Sequence, residues 1–184
     1  MPLTLTKEDG SGLSTANSYA SAADGGAYHE GHLYASTWTA ASTANKEAAL
    51  VMATRLIDAS YQFAGWKKSS AQALQWPREC APDPDRRGVR TSVLVNAVGP
   101  YFDSDAVPAA LVSATCEQAR ELLAADRTAA PAGEGLKQLT LVGTLSVTFD
   151  KNRMPMLSHL VKTMLAKLGT LLQASQGTVK LLRT

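Results

Sequence analysis

Apolar positions along this chain repeat at two periods, and the changes of period mark its elements. In the segment 43–65, Leu50, Ala53, Ile57 and Tyr61 fall at helical spacing and Leu56 widens the stripe. That pattern predicts an amphipathic helix capped by Thr43 and ended near Gly65. Upstream, Ser21-Ala22-Ala23-Asp24 has the form of a capping box and predicts a helix reaching about His32. Gly25, Gly26 and Gly31 weaken it by about 1 kcal/mol each relative to Ala, so it depends on packing through Tyr28 and Leu33. Pro108 suits a first helical position with Asp105 as its cap, and Leu111, Thr115, Ala119 and Leu122 then share one face. The helices around 49–61 and 111–123 are the expected packing pair.

The period changes to two at Leu139, Leu141, Leu145, Val147 and Phe149, on either side of Gly143. This fits a hairpin or a single bent strand. Pro155 then opens a last helix in which Leu157, Val161, Met164, Leu168 and Leu171 are spaced four, three, four and three apart, a short heptad seam broadened by Leu160, Leu165 and Leu172. So short a seam does not stand alone, and the helix must dock on its own core or on a neighbour. Val93 to Val98 fits a short strand or a short helix equally well, and Pro82 to Gly88 forms a turn-rich loop. The predicted fold class is mainly α: a small helical bundle with a short β-hairpin or strand insertion about 138–149 and extended N- and C-terminal arms. Residues 1–17 form the N-terminal arm, 18–176 the helical domain and 177–184 the C-terminal tail.

Composition narrows the classes. At 184 residues the chain makes one domain with projecting arms and can bury a real core. No run approaches a membrane span and no charged-then-apolar leader is present, so neither a membrane partner nor export is expected. Cys80 and Cys116 lack metal-ligand spacing and are expected as reduced thiols. Charge is uneven: residues 1–150 hold 12 basic and 16 acidic side chains, a net −4, whereas from Lys151 onward there are six basic residues and no acidic ones. Such an end suits a solvated helix face, an acidic partner or nearby DNA, with Lys162 and Lys167 the candidates for that contact.

Catalytic chemistry finds little footing. His29-Glu30-Gly31-His32 sets two imidazoles three apart, not at zinc-protease spacing, and no third ligand is evident. His159 reads as a solvated or interface residue. Asp83 and Asp85 stand in a Pro-Asp-Pro-Asp loop without the ligand density of a calcium site. The chain has neither a phosphate-binding glycine loop nor a nucleophile elbow. The expectation is a protein that is not an enzyme and takes no metal and no cofactor.

The most specific stretch is Gln72-Ala73-Leu74-Gln75-Trp76-Pro77-Arg78, which follows Gly65-Trp66-Lys67-Lys68. A large aromatic, a rigid turn and a guanidinium placed together suit the holding of a neighbour, and Trp and Arg are enriched at interface hot spots. Trp66, Lys67, Gln72, Trp76, Pro77 and Arg78 are therefore the candidate interface. The same residues allow Trp76 to be a core anchor and Arg78 a solvated loop residue.

These segments carry a resemblance. Asn17-Ser18-Tyr19, Ala27-Tyr28-His29, Glu47-Ala48-Ala49-Leu50, Ala53-Thr54-Arg55-Leu56-Ile57-Asp58, Gly65-Trp66-Lys67, the run 72–78 and Val107-Pro108 follow one another in an order that resembles the head-to-tail connector (adaptor) proteins of tailed bacteriophages. Some members of that family carry a DnaT-like, single-stranded DNA-binding label. The resemblance implies a structural subunit in the virion neck, assembled in the host cytoplasm. It implies association into a homo-oligomeric ring, typically of about twelve copies, closed by head-to-tail contacts. Its partners would be the portal protein, a tail or stopper/terminator protein, and the genomic DNA passing through the channel. The tail residues Val179, Lys180, Leu181, Leu182 and Arg183 would contact the portal or a neighbouring subunit. The alternative is a primosome-like single-stranded DNA-binding protein, for which Trp66-Lys67-Lys68 and Trp76-Pro77-Arg78 would supply aromatics among bases, diluted by Glu79, Asp83 and Asp85.

Overall fold

The computed structural model describes residues 3–86, 101–129, 138–141, 145–148 and 155–172. The apolar run at 93–98 and the tail at 177–184 lie outside these residues. The described chain is mainly α, with helices α1 (Ala22–Glu30), α2 (Ser36–Ala40), α3 (Thr43–Ser60), α4 (Ala109–Ala124) and α5 (His159–Leu165). Short strands β1 (Tyr61–Phe63), β2 (Trp66–Lys67), β3 (Arg78–Glu79), β4 (Gln138–Leu141), β5 (Leu145–Thr148) and β6 (Gly169–Leu171) form antiparallel two-stranded ladders, β1 with β6, β2 with β3 and β4 with β5. The region flanking Gly143 is thus a hairpin.

Helix α4 is the centre of the molecule. It packs on α3, as the two apolar stripes predict, and also meets α1, α2 and α5. Residues Ala114 to Ala119 are buried without interruption, so the helix is surrounded there. On one side Ala20, Trp38, Ala49, Leu50, Ala53, Cys116 and Ala119 form an apolar cluster. On the other, Tyr19, Ile57, Tyr61, Phe63, Trp76, Leu111, Leu157, Val161 and Leu165 form the larger one. Burying side chains of this size contributes about 1.5–3 kcal/mol each.

Helix starts follow side-chain capping. Ser21 and Asp24 make the predicted capping box of α1. In α3 the cap is Ser42, whose hydroxyl accepts from the Asn45 amide, with Thr43 already inside the helix. Pro108 itself is the N-cap of α4, and Asp105 makes no cap bond there. The glycines of α1 have a packing reason: a Cβ on Gly25 would lie 2.3 Å from the Trp38 ring, whereas one on Gly26 would meet nothing within 4 Å. Trp38 replaces Leu33 as the helix's support, since Leu33 is 85% exposed.

Two expectations on helix length give way to strand pairing. Helix α3 ends at Ser60 instead of Gly65, and the chain continues into β1. The last helix stops at Leu165, and Leu168 and Leu171 of the supposed seam belong to a tight turn and to β6, which pairs with β1 in the register Tyr61↔Leu171 and Phe63↔Gly169. Leu168 and Leu171 keep the spacing of the seam although a turn and a short strand carry them, so periodicity alone could not find this break. Gly169 permits the pairing, because a Cβ there would stand 2.5 Å from the Gln62 carbonyl oxygen. The N-terminal segment is non-helical, as expected, but it is fastened to the domain: Glu8 and Ala16 are buried, and Lys7 pairs with Ser18 as a parallel bridge.

The two neighbouring glycines of α1 give a paired test. Gly26→Ala should raise stability by up to about 1 kcal/mol through helix propensity. Gly25→Ala should lower it by about 1–3 kcal/mol through overlap with Trp38. Urea unfolding of the two variants checks the opposite signs.

Candidate functional site

The run 72–78 is built into a buried joint between the N-terminal segment, α3 and the β1–β2 turn. The hydroxyl of Tyr19 lies at its centre. It donates to Asp58 Oδ1 at 2.6 Å and accepts from the backbone amides of Gln75 at 3.0 Å and Trp76 at 3.2 Å. Asp58 Oδ2 also accepts from the Gln75 amide at 3.1 Å. Asp58 therefore points inward and does not form the surface pair with Arg55 that their spacing suggests. Burial pushes its carboxyl up to about 6, against the downward pull of the Tyr19 hydroxyl, the Gln75 amide and the charges of Lys67 and Arg78. The Tyr19 phenol is held well above its ordinary range, first by burial and then by the Asp58 charge.

The rest of the run is held by main-chain acceptors. Gln72 Nε2 donates to the carbonyls of Leu74 and Pro77, and Gln72 Oε1 accepts from the Ser69 amide. The Trp76–Pro77 peptide bond is cis. The Trp76 ring is fully buried and meets Phe63 and Phe102 edge-on, with centroids 6.0 and 5.7 Å away. Arg78 spends its guanidinium on carbonyls: Nε on Ala64 at 2.7 Å, Nη2 on Gly65 at 2.6 Å, and Nη1 on Gln75 at 3.1 Å. Gln72, Trp76, Pro77 and Arg78 are thus turned into the fold, and the core-anchor reading of Trp76 holds. Arg78, read as solvated in that alternative, is instead a buried clamp.

Trp66 remains outside. It is 58% exposed, and its indole N–H donates to Glu79 Oε2 at 3.0 Å. Lys67 beside it is half-buried. Lys167 forms an ion pair with Asp85 at 2.6 Å, and Lys162 is half-buried, its carbonyl accepting from the Tyr61 hydroxyl. Val179, Lys180, Leu181, Leu182 and Arg183 lie outside the described residues. Several other bases are likewise engaged: Lys7 with Asp24, Arg86 with Asp103, Arg120 with Glu117 and Glu121, and Arg127 with Glu121.

The two imidazoles at 29 and 32 are structural. His29 is buried, its Nε2 lies 3.1 Å from the Cys116 carbonyl, and burial lowers its proton affinity. That geometry makes Nε2 the protonated nitrogen. His32 Nε2 lies 3.5 Å from the buried Glu117 carboxylate. Among the described residues no group of three or more His, Cys, Asp or Glu could hold a metal. Burial pushes the Cys116 thiol up to about 12, which leaves it unreactive.

Sequence reasoning missed the acidic partner of the N-terminal segment. Glu8 is buried, and its two carboxylate oxygens accept from the amides of Gly10, Gly12 and Leu13 at 2.9–3.0 Å. An acid followed by Gly10-Ser11-Gly12 was the available signal, since glycine turns can wrap successive amides around an anion. Tyr19 and Asp58 carried no such signal, because their partners are 56 and 17 residues away at Gln75.

The sequence profile of one family, described as "Putative DnaT-like ssDNA binding protein", matches residues 3–184. The chain belongs to this family. No curated protein and no solved structure matches it. In this DnaT-like family member the segments aligned across the match include the whole buried joint, from Tyr19 through Asp58 to Arg78.

Two outcomes are expected at the joint. Tyr19→Phe should cost about 1–3 kcal/mol by leaving the Asp58 carboxylate and the Trp76 amide without their shared partner. For Asp58, the folded state binds its proton more tightly than the unfolded chain, whose ordinary value is near 3.9. Its stabilising contribution is therefore full below about pH 4 and is lost as pH rises through about 6. The stability difference between the wild type and Asp58→Asn should change across that window and level off above it, as read by urea unfolding from acid to neutral pH.

Proposed function

We propose that this chain is a structural virion protein, a head-to-tail connector subunit. It forms a ring of about twelve copies beneath the portal, joins the capsid to the tail and continues the DNA channel. The observation that carries this reading is where the resembling residues go. Asn17, Ser18, Tyr19, Thr54, Asp58, Gln72 and Arg78 bond one another and the backbone in a fixed shape, and Trp76 packs between Phe63 and Phe102, its buried indole N–H without a partner. A protein whose distinctive residues maintain a shape is suited to assembly. Large apolar side chains left on its surface, among them Tyr34, Trp66, Met156, Leu160 and Leu172, supply area for contacts with copies of itself and with the portal.

The family description favours a second reading, binding of single-stranded DNA. That function needs a basic groove interleaved with exposed aromatics. Trp66 with Lys67 is the described surface closest to it, and there Glu79 occupies the indole N–H. A carboxylate at the edge of the platform repels the phosphates that would follow a stacked base. The connector reading therefore stands ahead.

Native mass analysis of the chain with the portal protein of its own genome, and separately with a short single-stranded oligonucleotide, tests the two readings. A saturable ring-stoichiometry complex with portal and no oligonucleotide complex at moderate salt is expected. Tight, salt-dependent oligonucleotide binding without a portal complex would establish the DNA-binding reading instead. Within the connector reading, Trp66→Ala should leave the melting temperature unchanged and weaken portal or neighbour binding by about 1–2 kcal/mol.

A further inference from the structure

A cleft of about 500 Å³ opens between the 83–86 turn and the segment that leads into α4. Its floor is apolar: Phe102, Val107 and Pro108, with Ala106 and Ala109 at the edge. Among the described residues its rim carries Asp83, Asp85 and Asp103, with Arg86 on Asp103 and Lys167 on Asp85. Arg86 is already committed, donating to Asp103 Oδ1 and to the Tyr101 carbonyl at 2.7 Å each. Asp83 has no cationic partner among the described residues. Asp105 stands in the 103–106 turn with Asp103, and with Lys7 and Asp9 it borders an adjoining cleft that shares Ala106 and Val107. Apolar floor and acidic rim together ask for a segment that alternates aliphatic and basic side chains.

The chain owns such a segment. Its final residues include Val179-Lys180-Leu181-Leu182-Arg183, two bases among aliphatics with no acid anywhere after Asp150. Twelve residues follow Leu172, the exposed residue just beyond β6, and they reach up to about 40 Å when extended. One contact of the expected kind already exists: Lys167, at the foot of α5, pairs with Asp85 on the rim through both carboxylate oxygens, at 2.6 and 2.9 Å. A basic group from the C-terminal part of the chain is thus accepted at this rim.

We propose that the acidic-rimmed cleft at Asp83, Asp85, Asp103, Phe102 and Val107 is the docking site for the C-terminal segment 173–184 of a second copy of this chain. Lys180 and Arg183 meet Asp83, which holds no cation among the described residues, and share Asp85 and Asp103 with Lys167 and Arg86; Leu181 and Leu182 cover the apolar floor. The contact is heterologous, one patch against a different patch, which is the kind that closes into a ring. In that the tail comes from a neighbour, the proposal rests on the connector reading; the cleft's preference for this sequence does not.

The test uses the full-length chain carrying Lys180→Glu and Arg183→Glu, so that its own tail cannot compete, and a fluorescent peptide of the wild-type sequence 173–184. Saturable one-to-one binding is expected. It should weaken about tenfold when salt rises from roughly 50 to roughly 300 mM, and be lost when Asp83→Asn and Asp103→Asn are added. No binding, or binding indifferent to the two aspartate changes, overturns the proposal. The wild-type chain at monomeric dilution should bind the peptide equally well; much weaker binding there means that the chain's own tail fills the cleft and overturns the assignment to a second copy. Peptide binding retained in a chain that makes no portal complex would sink the connector reading and leave the cleft assignment standing.

Discussion

The hydroxyl of Tyr19 takes part in three hydrogen bonds at once, and the shape of the molecule depends on that group. It joins the N-terminal segment to Asp58 on α3 and to the two amides that begin the Trp76–Pro77 step. A buried amide left without a partner costs about as much as the domain gains from a whole aliphatic side chain, so these bonds fix the path of the run 72–78 as firmly as packing does. Once that path is fixed, Trp76 falls between Phe63 and Phe102, and Arg78 falls within reach of the carbonyls at Ala64 and Gly65. The polar joint and the apolar core are one construction.

This arrangement explains why a motif with the composition of an interface turned out to be internal. Arginine beside tryptophan is equally useful for clamping irregular backbone, because a guanidinium offers five donors to carbonyls that no regular ladder satisfies. Residues 64–65 and 74–77 lie between the short strands, and Arg78 and Gln72 donate to their carbonyls. Among the described residues, the surface left for function includes the exposed Trp66 ring and the acidic cleft before α4.

The charge asymmetry visible along the chain acquires a spatial meaning here. Asp85 of the 83–86 turn and Lys167, from the acid-free end of the chain, meet as an ion pair. An exposed pair of this kind contributes little to stability. What it fixes is position, since it ties the turn after α5 to the 83–86 turn.

By itself the sequence determined the main helices and the strand character on either side of Gly143, because these depend on local periodicity and capping: the stripes of α3 and α4, the Ser21–Asp24 box and the alternation flanking Gly143 are all short-range patterns, while the pairing of the two strands is tertiary. Tertiary structure alone decided whether α5 would continue, because the pairing of Gly169–Leu171 with Tyr61–Phe63 spans about a hundred residues and leaves a spacing that a helix would also show. It alone decided that Gly25 is required and Gly26 is not, because the Trp38 ring arrives from another helix. And it alone decided the role of the candidate site. Residue types state which bonds a side chain can make, while burial and the arrival of distant partners such as Tyr19 and Asp58 settle whether those bonds are made inward or left for a neighbour.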